Sequence, residues 1–275
     1  MWAFVVPEIG RVTHFSKPGE QNALWTRDAS GDEGWKNWGG DKAWWWPQSQ
    51  WPEVTGTGAD WPPPAAIDGT PWELVAASRQ ETTIRSAIDK GLGAYLERAF
   101  ALVDAEAAMV VETSLVPVEG AARYRGLTQP ATLPAWAVPW TVTQVATDGP
   151  IYARLVDGVD ADDDGWVQTM MGDDTFVVGV AGRWVEIARL SGDGMMKIGL
   201  DADALAVELA DGSWLVQRYV GSVSGGDFEA AERAQVFQTD KYVELEFIGP
   251  TDGGPGSRAF TLEWRLEDRA PWLAD

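Results

Sequence analysis

Val243-Glu244-Leu245-Glu246-Phe247 alternates apolar and acidic side chains with a period of two. That period belongs to a half-buried β-strand, because successive side chains leave a strand on opposite sides. Val243, Leu245 and Phe247 then face a core, while Glu244 and Glu246 share the other face. Two carboxylates side by side push one pKa upward, as a general base requires. Outward from this run the same pattern recurs. Short alternating runs cover residues 2–6, 11–15, 72–77, 81–86, 95–103, 108–118, 135–145 and 151–155. Further runs cover 175–180, 184–190, 204–209, 213–219, 235–238, 242–248 and 259–266. Asp68-Gly69, Asp148-Gly149-Pro150, Asp211-Gly212 and the Gly/Pro-rich stretch 251–257 supply turns between them. Residues 82–98 and 104–111 hold enough Ala, Leu and Glu to read also as helices, and 224–234 as a helical turn. No fixed-period repeat is present, which argues against a propeller or solenoid. About fifteen strands without βαβ spacing predict an all-β fold, a large antiparallel sandwich in one domain spanning 1–275.

Composition narrows the function classes. Lys and Arg number 21 against 42 Asp and Glu, a formal net charge of −21. Such a field disfavours nucleic acid and anionic membrane as partners, and no basic patch offsets it. The charges are scattered, as on a highly soluble surface. The absence of cysteine excludes disulfides, thiolate metal sites and a Cys nucleophile. A single histidine, His14, excludes a multi-histidine zinc site. Without an apolar run of membrane-spanning or signal-peptide length, a cytoplasmic location is the expectation, with a mature exported form as the alternative.

Tryptophan carries the second signal. Nine of the 17 tryptophans fall between Trp25 and Trp72, centred on Gly39-Gly40-Asp41-Lys42-Ala43-Trp44-Trp45-Trp46-Pro47-Gln48-Ser49-Gln50-Trp51-Pro52. Indoles fill cores well, since each buries a large area and has one N–H to satisfy. Indoles interleaved with amide, carboxylate and ammonium groups also suit a carbohydrate, which offers C–H patches to stack and hydroxyls to bond. On a strand, Trp44 and Trp46 point to one side and Trp45 to the other. Trp44, Trp46 and Trp51 are candidate stacking faces; Asp41, Lys42, Gln48, Lys197 and Arg218 are candidate polar partners. Residues 51–68, with Pro52, Pro62, Pro63 and Pro64, are too proline-rich for a central strand and predict a long ordered loop at the mouth of the site.

Several stretches taken together resemble one family. They are residues 6–12, 21–25, 39–52, 61–69, Pro139-Trp140-Thr141-Val142-Thr143-Gln144-Val145, Lys197-Ile198-Gly199 and 242–250. In order and over nearly the whole chain, they are similar to a bacterial family of galactose-mutarotase-like proteins related to the aldose 1-epimerases. The resemblance implies an antiparallel supersandwich with a sugar site on its concave face. Aldose epimerases open and reclose a pyranose: a carboxylate takes the anomeric proton while an acid, usually histidine, protonates the ring oxygen. By resemblance, Glu244 or Glu246 matches the base on the late strand. No histidine follows His14, and the strand expected to carry one offers Trp140, Thr143 and Gln144. Gln144 can bond a hydroxyl but cannot act as an acid. Lys42 or Asp41 is the substitute, a lysine in an indole-lined pocket having a lowered pKa.

Asp160-Ala161-Asp162-Asp163-Asp164-Gly165 fits the start of a calcium loop, with Asp160, Asp162 and Asp164 as ligands. The twelfth position is Met171 and not the expected Glu, so a solvated acidic loop is the simpler reading, and any calcium there would be structural. No other cofactor is implied: phosphate loop, nucleophile elbow and dinucleotide fingerprint are all absent. Three functions follow as alternatives: a sugar-binding isomerase of epimerase type, a carbohydrate-recognition module without catalysis, or a structural sandwich whose tryptophans are core.

Overall fold

The period-two alternation is realised as strands that pair antiparallel into two large sheets. The computed structural model describes residues 1–103, 107–120, 132–163, 165–172, 177–188, 194–221, 232–251 and 256–273. The first sheet has eight strands in the order β1 (Trp2–Val6), β2 (Arg11–Ser16), β3 (Asp41–Trp46), β8 (Val138–Val145), β17 (Val243–Ile248), β16 (Ala234–Gln238), β13 (Met196–Leu200) and β10 (Val167–Met171). The second has ten, in the order β11 (Val177–Ala181), β12 (Trp184–Ile187), β9 (Ile151–Leu155), β14 (Ala202–Glu208), β15 (Trp214–Tyr219), β18 (Arg258–Glu267), β7 (Ala108–Pro117), β6 (Ala94–Val103), β5 (Glu81–Arg85) and β4 (Glu73–Ala77). The protein is an all-β sandwich. Among the described residues no helix is long and apolar enough to cross a membrane.

Between the sheets lies a continuous apolar core that includes Phe15, Trp45, Leu245 and Phe247 from the first sheet and Leu96, Leu205, Leu215 and Trp264 from the second. Phe15 meets Trp264 edge to face at 5.5 Å, which ties the two sheets directly. A polar thread crosses the same layer. Asp41 pairs with Arg98 at 2.5 Å, the Thr143 hydroxyl donates to Asp41 at 2.9 Å, and the Gln217 amide donates to Thr143 at 2.9 Å.

Where local propensity and burial period compete, the period wins. Ala94, Leu96, Arg98 and Phe100 of β6 are buried at every second position, so the Ala/Leu/Glu-rich stretch 82–98 forms most of β5 and the start of β6, joined by a turn over 86–93, and no helix. Residues 107–111 likewise continue into β7, while 104–106 and most of 224–234 lie outside the described residues. Strands β10 and β13 go beyond the alternating runs read from sequence, although glycine and aspartate flank both: Gly165 and Gly172 lie beside the one, Gly194 and Asp201 beside the other. The stretch 51–68 contains two short helices, α1 (Trp51–Thr55) and α2 (Ala65–Asp68).

Candidate functional site

Two glycines admit β3 to the sheet. Gly39 and Gly40 have φ of 78° and 73°, and a Cβ on each would come within 2.2 Å of the Trp25 carbonyl oxygen and 2.3 Å of that of Val12. Only glycine tolerates both the backbone angle and the approach. From there alternation sends Asp41, Ala43 and Trp45 toward the second sheet, and Lys42, Trp44 and Trp46 to the outer face. Register carries that outer face across the sheet. Lys42 lies opposite Val142, Trp44 opposite Trp140, Gln144 opposite Glu244, Glu246 opposite Gln235, and Phe237 opposite both Glu244 and Lys197. Residues remote in sequence thus share one surface.

The charges on this face are paired. The Oε1 atom of Glu244 accepts hydrogen bonds from Lys42 Nζ at 3.2 Å and from Gln144 Nε2 at 2.6 Å. Lys197 Nζ donates to Glu246 Oε2 at 2.9 Å. Each ammonium also lies over an indole, Lys42 at 4.7 Å from the Trp44 centroid and Lys197 at 4.9 Å from that of Trp140. Burial raises the Glu246 carboxyl above the ordinary carboxylate range; Lys197 opposes the shift and Glu244 adds to it. Like-charge repulsion, expected from the i, i+2 spacing, is therefore the smaller cause and desolvation the larger. Burial also lowers the Lys42 ammonium, with Glu244 opposing and Arg11 reinforcing. Both shifts favour neutral forms. Among the described residues, Glu246 Oε1, Gln144 Oε1, both amide atoms of Gln235 and Trp140 Nε1 are buried without a hydrogen-bond partner. These neighbours retain hydrogen-bonding capacity that native interiors ordinarily satisfy.

One carboxylate fastens the proline-rich stretch over the β3 end of this face. Asp68 accepts from Arg11 at 2.7 Å and from the indole N–H groups of Trp35 and Trp44, each at 3.0 Å. Trp61, 45% exposed, packs its ring on Trp35 at 4.7 Å and on Trp44 at 5.9 Å. Two clefts flank the stretch. One, of 690 Å³, is lined by Trp46, Gln48, Trp136, Met170, Lys197 and Ile248 among others. The other, of 450 Å³, is lined by Trp35, Trp38, Pro62, Pro63, Lys36 and Glu8 among others.

The structure therefore assembles Lys42, Trp44, Trp46, Trp140, Gln144, Lys197, Glu244 and Glu246 on one face, with Gln48 beside it. Other candidates lie elsewhere. Asp41 is turned between the sheets to Arg98, because it alternates with Lys42 on β3. Arg218 belongs to the second sheet and pairs with Glu263. Trp51 is fully buried, donates to the Trp45 carbonyl at 3.0 Å and touches Trp44, Trp45 and Trp140, so it is a wedge and offers no stacking face. Trp44 and Trp140 are also buried, beneath the more accessible rings. His14 sits on β2, separated from β17 by β3 and β8, and stacks on Phe4. In the acidic loop, Asp162 N–H donates to Asp160 and Asp160 N–H to Asp163, while Asp164 lies outside the described residues. Among the described residues no three His, Asp or Glu side chains converge to hold a metal. Sequence reasoning overlooked Trp35, Trp136, Gln235 and above all Asp68, which reads locally as the first half of an Asp-Gly turn.

No protein-family model matches the chain, and no curated protein matches it in sequence. Similarity of fold does extend to solved structures. A TPR-domain containing protein from Parabacteroides distasonis aligns with a TM-score of 0.58 at 12% identity, covering 98% of this chain and 45% of that one. The chain thus spans less than half of that protein, and the likeness concerns fold alone. HI1317 aligns over 96% of this chain and 88% of its own at 11% identity, with a TM-score of 0.45.

Proposed function

We propose that the protein binds carbohydrate on the outer face of its eight-stranded sheet, in the manner of a galactose-mutarotase-like fold, with the ligand in the cleft between Trp46 and Trp136. The observation that carries this reading is the combination of two indoles and Lys197 in one 690 Å³ cleft, adjoining buried polar atoms with unused bonding capacity. Indoles accept the apolar face of a sugar, and Gln48 and Lys197 supply donors for hydroxyls. A pocket that pairs aromatic walls with a few convergent polar groups is the ordinary form of a small-molecule site.

The test is tryptophan fluorescence titrated with a panel of neutral monosaccharides and uronic acids. A saturable change in the native protein, weakened about tenfold in Trp46→Ala, is expected. A native protein silent to every sugar, or a Trp46→Ala variant equal to native, overturns the reading.

Epimerase-type catalysis is a second reading, favoured by one observation: burial holds Glu246 toward its protonated form beside a second carboxyl, Glu244. In that reading Glu246 gives a proton to the ring oxygen and Glu244, once released from Lys42 and Gln144, takes the anomeric proton. Anomer exchange followed by NMR tests it with Glu244→Gln and Glu246→Gln. Bound sugars that exchange no faster than in buffer leave recognition without chemistry.

A further inference from the structure

The two clefts on either side of the proline-rich stretch meet at one ridge. Gln48, which lines the Trp46 cleft, donates from Nε2 to the Asp60 carbonyl at 2.8 Å. The next residue, Trp61, rests on Trp35, and Trp35 lines the second cleft together with Trp38, Pro62 and Pro63. Beneath the ridge the rings continue without a gap: Trp61 touches Trp44 at 5.9 Å, Trp44 touches Trp140 at 4.9 Å, and Trp140 touches Trp46 at 5.3 Å. Buried Trp44 and Trp140 thus form a rigid base for three more accessible rings, Trp46, Trp61 and Trp35.

Trp61 needs explaining. A large indole left 45% exposed gives up burial that its neighbours could offer, and here it crowns the ridge between two aromatic-walled clefts. The ridge is also firmly held. Asp68 ties Trp35 and Trp44 to Arg11, so the rings are ordered before any ligand arrives, which lowers the entropy cost of stacking on them. The second cleft has polar groups near its rings as the first does, Glu8, Lys36 and Thr70 among them. A row of preordered rings, each meeting the next edge to face and with polar groups alongside, suits a chain of sugar units better than a single one.

Resting on the carbohydrate reading, we propose that the ligand is a linear oligosaccharide: one end occupies the Trp46–Trp136 cleft, the chain crosses Trp61, and the far units lie in the Trp35–Trp38 cleft. Linked sites add their contributions, so affinity rises with chain length until both clefts are filled, then levels off.

The experiment is isothermal calorimetry with linear gluco- and galacto-oligosaccharides of one to six units, together with an oligoproline peptide, on native protein and on Trp46→Ala, Trp61→Ala and Trp38→Ala. Far-UV circular dichroism confirms that each variant is folded. Native protein is expected to bind the longer chains at least about tenfold more tightly than the monosaccharide. Trp61→Ala and Trp38→Ala are expected to lose that gain while binding the monosaccharide as native does; Trp46→Ala weakens every length. Equal affinity for all lengths, or a length dependence untouched by both Trp61→Ala and Trp38→Ala, overturns the extended site but leaves the sugar cleft standing. Silence toward every sugar overturns both readings, and binding of oligoproline in place of sugars assigns the second cleft to an extended peptide and overturns the oligosaccharide.

Discussion

Asp68→Asn is the substitution from which the candidate site has most to lose. The Asp68 carboxylate is the anionic partner of Arg11, whose side chain is fully buried, and the pair lies at 2.7 Å. Asparagine is nearly isosteric but neutral, so Arg11 keeps its bond to the Gly39 carbonyl and loses its counter-charge. Removing one member of a buried ion pair costs about 3–5 kcal/mol. The same change weakens two indole N–H bonds at 3.0 Å, from Trp35 and Trp44, because the new NH₂ group faces donors. Against a typical total stability of about 5–15 kcal/mol, the loss is large. Urea unfolding of native, Asp68→Asn, Arg11→Met and the double variant, followed by far-UV circular dichroism, measures it. The double variant is expected to be more stable than Asp68→Asn alone, since it no longer buries an unpaired guanidinium. In the folded variant, Trp35 and Trp44 lose their shared acceptor, and indole emission shifts to longer wavelength at low urea. An Asp68→Asn protein within about 0.5 kcal/mol of native would show that this carboxylate anchors neither the proline-rich stretch nor the Trp35 and Trp44 rings.

Three other outcomes follow from the same geometry. Burial holds Glu246 above its unfolded-chain pKa, so its contribution to stability is complete below the ordinary carboxylate value and is lost as pH rises through the raised one. Lys197, Glu244 and Lys42 are the charged groups acting on it, and urea unfolding between pH 4 and 8 should show native protein losing stability relative to Glu246→Gln by about 1.4 kcal/mol per unit of raised pKa. A flat difference across that range refutes the shift. Gly40→Ala places a Cβ 2.3 Å from the Val12 carbonyl oxygen at a φ of 73°, and thermal unfolding should show a loss of about 1–3 kcal/mol or more; an unchanged melting point would contradict the approach. Arg98→Met leaves Asp41 uncompensated between the sheets and is expected to cost about 3–5 kcal/mol in chemical unfolding, with part of the loss recovered in Arg98→Met/Asp41→Asn.

Much of this protein is legible one strand at a time. The alternation in 243–247 announced a strand with Glu244 and Glu246 on one face, and the structure pairs both with lysines there. Trp44 and Trp46 were separable from Trp45 by the same period. Asp41 misled because a distinctive motif was weighed ahead of its own alternation, which turns it to Arg98. Arg218 obeys its strand but in the other sheet, and the assignment of strands to sheets has no local signature.

By itself, then, the sequence determined strands, turns and the face on which each side chain emerges, because those follow from a two-residue period and from glycine and proline stereochemistry. Tertiary structure alone decided who meets whom. Arg11, Trp35, Trp44 and Asp68 converge through bonds spanning 24 to 57 positions, and Lys42 reaches Glu244 across 202. Such meetings depend on strand order and loop closure, which the burial of the whole chain settles together and no single segment encodes.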